Sequence, residues 1–202
     1  KTKLDRIGIL SKPLAVRSSA AAEDSARASF AGIHDSFLNV RGPEIFESVQ
    51  GCYASLWSDR AVAYRRKLRI RDEEVMIGVV VLEMVEAQAA GVGFTCDPQT
   101  GRRDLVVINA NFGLGEAIVA GSVEPDTYYL DASPWNSLPQ LVERKTGRKE
   151  GMTCFNQPGG TQFVQTPDSS GRQVLAEANI AKLGLLLLRA FEALGNGDQH
   201  QD

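Results

Sequence analysis

Residues 14–40 read LAVRSSAAAEDSARASFAGIHDSFLNV, and the interpretation of the whole chain turns on them. Leu14-Ala15-Val16 is a short apolar run that meets Arg17-Ser18-Ser19. A long segment of small residues follows, with Gly32 near its end, and apolar-polar character resumes at Phe37-Leu38-Asn39-Val40. A strand, a small-residue loop and a return strand together bring backbone amides close to an anion. Arg17 at the strand end offers a forked, permanently charged partner for phosphate oxygens. Ser18, Ser19, Ser29 and Ser36 supply short hydroxyl donors, and Gly32 lets the backbone approach without a Cβ. The plainer alternative stands beside this one. An arginine at a strand end is commonly half of a structural ion pair, and Ser/Ala loops are common on surfaces.

Working outward, Gly42-Pro43-Glu44 reads as a helix start, with Pro43 suited to the first position and Glu44 and Glu47 to the dipole. Ile45, Val49, Cys52 and Leu56 recur at helical spacing, with Phe46, Tyr53 and Trp57 beside them. Ser58-Asp59 begins a second helix, ending at Arg65-Arg66-Lys67, which reads as a solvated basic terminus. Residues 74–85 are mostly apolar and β-branched, predicting a buried central strand in which Glu83 needs a partner. AGVGFTC from Ala90 and DLVVINA from Asp104 predict an antiparallel hairpin across a Gly-bearing turn.

Phe112-Gly113-Leu114-Gly115-Glu116 lacks the third glycine of a dinucleotide fingerprint, because Ile118 stands there. Glu116 reads either as a polar cleft residue or as a helix N-terminal charge. Glu124 and Asp126 flank Pro125. They are either metal-binding carboxylates or turn residues whose side chains cap backbone amides. Residues 132–168 are rich in Pro, Gly, Ser, Asn and Gln, with a strand fragment expected at Leu141–Lys145 and least order around 156–170. A helix is predicted over 170–194, opened by a Ser170/Gln173 capping box and closed by Gly195. Its stripe is Val174, Ala178, Ala181, Leu185 and Leu188, and the Leu185–Leu188 run is expected to be buried between elements.

The separated motifs Arg17-Ser18-Ser19-Ala20, Ala22-Glu23-Asp24, Ala28-Ser29-Phe30-Ala31-Gly32, Phe37-Leu38-Asn39-Val40, Glu83-Met84-Val85, Ala90–Thr95, Phe112–Glu116 and Glu124-Pro125-Asp126 occur in order. Together they resemble the ATP-binding domain of the phosphoenolpyruvate synthase and pyruvate phosphate dikinase family, a domain also carried by rifamycin phosphotransferases. The resemblance implies an α+β, ATP-grasp-like fold with mixed or antiparallel sheets and packed helices. It implies two lobes, about 1–75 and 76–202, around a nucleotide cleft, in a domain truncated at both ends. It implies ATP with Mg²⁺, Arg17 as the phosphate-holding catalytic residue, and Gly32 and Ser36 cradling the triphosphate. Glu83 and Val85 then lie where backbone meets adenine, and residues 112–116 lie near the nucleotide. The family often carries Gln where this chain has Leu82, which has no polar side-chain contact to offer. Metal ligands are expected beyond Asp202, with none assigned in this chain.

Function by resemblance is phosphoryl transfer from ATP to a histidine on a separate swivelling domain, and then to pyruvate on an acceptor-binding domain. The alternatives are a rifamycin acceptor or a non-catalytic nucleotide-binding module. No turnover is expected of this part by itself. Composition is ordinary for a globular protein, at 43% hydrophobic and 23% charged over 202 residues. A net charge of −3 leaves no basic footprint for nucleic acid. No apolar run is long enough for a bilayer, and no h-region opens the chain, so a cytoplasmic setting is expected. Cys52, Cys96 and Cys154 lack metal spacing and read as free thiols.

Overall fold

The computed structural model describes residues 6, 8–20, 24–25, 28–29, 33–133 and 138–194, with the side chains of 20, 24, 25, 28, 29 and 74 outside that description. The protein is an α+β chain of antiparallel sheets and helices, dividing into two compact units. The first comprises Lys1–Val85 with Phe155–Thr161, the second Glu86–Cys154 with Gln162–Asp202. No helix among the described residues is long and apolar enough to cross a membrane.

In the first unit the alternation of Leu14-Ala15-Val16-Arg17 becomes strand β1 (Leu14–Ala20). A two-residue pair, β2 (Asp24–Ser25) and β3 (Ala28–Ser29), follows, then the return strand β4 (Ser36–Val40). Strand β5 (Ile77–Glu83) pairs antiparallel on the other side of β1, giving the order β4-β1-β5. The expected buried central strand at 74–85 is therefore corrected: β1 is central, and β5 is an outer strand with alternate residues open to solvent. A one-sided amphipathic strand reads as apolar throughout when its outward positions are also Val and Leu. Leu14 and Val16 are fully buried, with Val40, Ile45 and Cys52, and Val79 and Val81 pack against them.

Helix α1 (Ile45–Ser55) covers that side, preceded by the 3₁₀ turn Gly42–Glu44 with its Pro43. Its buried residues are Ile45, Ser48, Cys52 and Ser55, while Phe46, Tyr53 and Trp57 are exposed. Helix α2 (Asp59–Leu68) starts at Ser58, whose Oγ accepts the Ala61 amide at 3.4 Å. The basic end departs from the solvated reading at one residue. Arg65 is 2% exposed, donating to Asp72 Oδ1 at 3.0 Å and to Leu56 O at 2.5 Å, with its guanidinium 5.3 Å from the Trp57 ring centroid. Its charge is matched by Asp72 and two of its nitrogens are hydrogen-bonded, which offsets the cost of burying an arginine.

In the second unit β6 (Ala89–Phe94), β7 (Leu105–Phe112), β8 (Asp126–Asp131) and β9 (Gln140–Lys145) form an antiparallel sheet in chain order. The β6–β7 hairpin is as its turn signals predict. One turn of helix, α3 (Glu116–Val119), follows β7, with Glu116 in its first turn. Residues 156–170, expected to hold least order, instead include β11 (Thr161–Gln165), paired with the preceding β10 (Gly151–Phe155), and the 3₁₀ turn Pro167–Ser169.

Helix α4 (Glu177–Leu194) begins later than the capping box predicts. The Val174 amide is committed to Asp126 Oδ2 at 2.9 Å, and Gln173 donates to Leu175 O and accepts from Arg144. The backbone becomes free to coil at Ala176, whose carbonyl accepts from Asn179 and Ile180. The buried stripe is Ile180, Gly184 and Leu188, joining Val106, Ile108, Tyr128 and Leu130. Leu186 is exposed, so the leucine run is not enclosed on every side. Gly195 lies outside the described residues.

Candidate functional site

Because β-strand side chains alternate, burying Leu14 and Val16 under α1 sends Ala15, Arg17 and Ser19 to the opposite face of the first unit's sheet. Register completes this face. Arg17 pairs with Ser36 on β4 and with Val80 on β5, and Ala15 pairs with Leu82. Arg17 and Ser36 are exposed, and Val80 and Leu82 are 41% and 48% exposed. The row Ser36-Arg17-Val80 thus sets a hydroxyl and a guanidinium beside an apolar shelf of Val80 and Leu82. Among the described residues no ion pair involves Arg17, so the structural-pair alternative finds no carboxylate partner there.

Such a surface can accept an anion at one end and a flat apolar group at the other. Two of the five predicted binding residues, Arg17 and Ser36, are brought together. Gly32 lies outside the described residues. Glu83 ends β5, and its carboxylate takes a 2.6 Å ion pair from Lys12, meeting the need for a partner. Both groups are about half exposed, so the pair has little weight in stability. Val85, just past the strand, is 77% exposed. Sequence reasoning missed Val80 and weighed Leu82 only as an absent polar contact. The i, i+2 spacing of two apolar residues out of phase with Val79 and Val81 was the available signal.

Asn39 was quoted only as part of a strand, yet it is fully buried in the left-handed region at φ 51. Its Nδ2 donates to Asn156 O at 2.8 Å and Gly160 O at 2.7 Å, and Met84 Sδ accepts its backbone amide at 3.0 Å. This residue fixes the end of β4 to the 155–161 segment and to the end of β5.

The second unit resolves the Glu124-Pro125-Asp126 alternatives. Glu124 is at the surface, paired with Arg148 at 2.9 Å. Asp126 is fully buried and caps backbone amides, accepting from Gly147 at 3.0 Å and Val174 at 2.9 Å, as well as from Lys149 Nζ at 2.5 Å. The Tyr128 hydroxyl donates to Asp126 Oδ2 at 3.1 Å and accepts the Leu175 amide at 3.2 Å. Burial pushes the Tyr128 phenol up to about 12, with the neighbouring Asp126 charge adding to the rise. Among the described residues no group of three or more His, Cys, Asp or Glu side chains comes together to hold a metal ion, and none is assigned to one. A cavity of ≈ 290 Å³ beside β6 and α4 is lined by Gly91, Gly93, Ala110, Leu183 and Leu187, among other apolar residues. Its lining holds no ionisable group.

Residues 2–196 match the family described as pyruvate phosphate dikinase, AMP/ATP-binding domain. The chain is 42% identical over 192 residues to a probable phosphoenolpyruvate synthase of Methanothermobacter thermautotrophicus, covering 95% of this chain and 27% of that protein. It is 38% identical over 182 residues to the phosphoenolpyruvate synthase of Pyrococcus furiosus, covering 85% and 22%. It is 51% identical over 171 residues to the rifampicin phosphotransferase of Streptomyces sviceus, covering 84% and 19%. The chain therefore spans about a quarter or less of the length of these relatives. A match running almost from end to end and the motif order from Arg17 to Asp126 agree: this chain belongs to the pyruvate phosphate dikinase AMP/ATP-binding domain family.

Proposed function

We propose that this ATP-binding domain is of the ATP-grasp type and holds ATP on the face of the β4-β1-β5 sheet opposite α1. The observation that carries the reading is the cross-strand pair of Arg17 and Ser36 beside exposed Val80 and Leu82. Arg17 grips phosphate oxygens bidentately, Ser36 donates its hydroxyl, and the backbone at Gly32 belongs to the same cradle. Leu82 and Val80 give the base an apolar shelf. Glu83 and Val85 contribute through their main chain, because the Glu83 carboxylate is engaged by Lys12. Mg²⁺, when bound with the nucleotide, neutralises phosphate charge. Phosphoryl transfer of this kind needs positioning and charge neutralisation more than covalent chemistry by the protein.

In the longer protein the phosphoryl group then passes to a histidine on another domain and on to pyruvate, in a cytoplasmic setting. A second acceptor, an antibiotic hydroxyl, is favoured by the 51% identity to a rifampicin phosphotransferase. The test is differential scanning with ATP and Mg²⁺. ATP at about a hundred times its Kd adds about 2.7 kcal/mol of stability. The expected result is a raised Tm for the wild type and no shift for Arg17→Ala with its unliganded Tm unchanged. Equal shifts in the two proteins count against Arg17. For the acceptor, the full-length protein is given ATP with pyruvate or with rifampicin, and the phosphorylated product identifies which reading stands.

A further inference from the structure

A fully buried ion pair lies in the second unit. Asp126 and Lys149 are both 0% exposed, and every donor and acceptor of the pair is used. Lys149 Nζ donates to Asp126 Oδ1 at 2.5 Å, Gly147 O at 2.7 Å and Ser170 O at 3.5 Å. Lys149 itself sits in the left-handed region at φ 46, its amide bonded to Glu124 O at 3.1 Å and its carbonyl accepting the Thr166 hydroxyl at 2.9 Å. A buried pair of this kind contributes little net stability compared with apolar residues of the same volume, yet it tolerates only one arrangement of its surroundings.

Two residues beyond Lys149, β10 begins, and its carbonyls hold the end of β7. Gly151 O accepts Asn111 Nδ2 at 2.9 Å, and Thr153 O accepts the Leu114 amide at 2.7 Å. Gly113 is at φ 73, so near Thr153 that a Cβ would come within 2.3 Å of its carbonyl oxygen. The path from the ion pair to the glycine turn is thus short: two residues along the backbone from Lys149 to Gly151, then the two hydrogen bonds from β10.

We infer that the Asp126–Lys149 pair is a positioning element: by fixing the start of β10 it fixes the two carbonyls that hold residues 111–114 in place. The consequence for affinity rests on the nucleotide-binding reading above and on the resemblance of residues 112–116 to the family's nucleotide-binding segment; the consequence for the turn itself does not.

Amide hydrogen exchange on the wild-type 202-residue chain gives the first test. The amides of Leu114, Gly147 and Val174 open as one unit and exchange with the same opening equilibrium, within about threefold. Leu114 exchanging more than about tenfold faster than the other two overturns the inference. The second test replaces the pair by Asp126→Leu with Lys149→Met, leaving no unpaired buried charge. The variant shows a cooperative thermal transition and unchanged protection at Val107 inside β7. Its Leu114 protection falls at least about tenfold, and its Kd for ATP, by titration calorimetry, rises about tenfold. A folded variant with both values within about twofold of wild type refutes the inference. Should the variant not fold, the wild-type exchange pattern decides. Should the wild type bind no ATP, the nucleotide reading falls, while Leu114 protection still decides the positioning.

Discussion

Arg17 and Ser36 are directly opposed across the β1–β4 ladder, and both point to the face that α1 does not cover. One strand supplies a guanidinium, its neighbour a hydroxyl, and the sheet fixes their spacing. Arg17→Lys keeps the charge and loses the fork. A charged hydrogen bond is worth about 1.5–3 kcal/mol, so ATP binding weakens by roughly ten- to a hundredfold. Because Arg17 is exposed, the Tm without ligand stays where it is. Titration calorimetry checks the first statement and thermal denaturation the second. A lysine variant that binds ATP as well as wild type leaves only a diffuse charge effect.

Leu82 is the apolar neighbour on this face. It is 48% exposed and faces the same side as Arg17 through its partner Ala15. Leu82→Gln puts a polar group on this face beside Arg17. A neutral hydrogen bond is worth about 0.5–1.5 kcal/mol, so ATP affinity rises by about two- to tenfold. Stability changes by no more than about 0.5 kcal/mol, as for other surface substitutions. Affinity unchanged or weaker in the variant shows that the shelf works as an apolar surface and that no base contact is missing.

The legible parts of this fold are those whose cause is local. Ser58 caps α2 with its own hydroxyl, Pro43 sits in the turn before α1, and Asp97-Pro98 opens the β6–β7 connection, with Asp97 Oδ2 accepting from Thr100 at 2.6 Å. Arg17 and Ser36 were legible for the same reason, since strand, loop and return strand follow one another in the chain. What escaped was held from a distance. The β10–β11 pair looks like a Gly/Pro-rich loop because its order comes from Asp126, which holds Lys149 just before β10, and from Asn39, which holds the carbonyls of Asn156 and Gly160, neither of them a neighbour in sequence. The Ser170/Gln173 capping box was a real local signal, overruled when the buried Asp126 took the Val174 amide. Arg65 lies in a basic run, and nothing in that run shows that Asp72 and Trp57 fold back onto it.

Gly113 and Gly101 separate backbone strain from steric exclusion. Both have positive φ, 73 and 72, but an added Cβ meets Thr153 O at 2.3 Å in the first case and nothing within 4 Å in the second. Gly101→Ala therefore bears only the left-handed penalty of about 1–2 kcal/mol. Gly113→Ala adds a clash with a carbonyl that is already bonded to Leu114, and loses about 1 kcal/mol or more beyond that. Urea denaturation of the two variants side by side measures the difference, and equal losses mean that the turn yields without resistance.

Tyr128 makes stability fall in strong alkali, in a window set by its burial. The phenol has an ordinary value of 10.0 and is held at about 12 in the fold, chiefly because burial disfavours the charged form, with Asp126 opposing ionisation as well. The folded state thus binds its proton more tightly than the unfolded chain does. The resulting stabilisation is fully present below pH about 10 and is lost as pH rises towards about 12. Allowing for solvent screening, it amounts to about 1–2 kcal/mol. Ionisation also removes the hydrogen that Tyr128 gives to Asp126 Oδ2, leaving two anions at 3.1 Å, so the loss is concentrated on the Asp126–Lys149 cluster. Tyr128→Phe deletes this contribution while other groups titrate as before. Its unfolding free energy is lower than wild type at pH 9, where the Leu175 amide has lost its acceptor, and the two curves converge between about pH 10 and 12. Urea titrations at half-unit steps follow the difference, and curves that stay parallel through that window show that Tyr128 ionises as freely in the fold as in the unfolded chain.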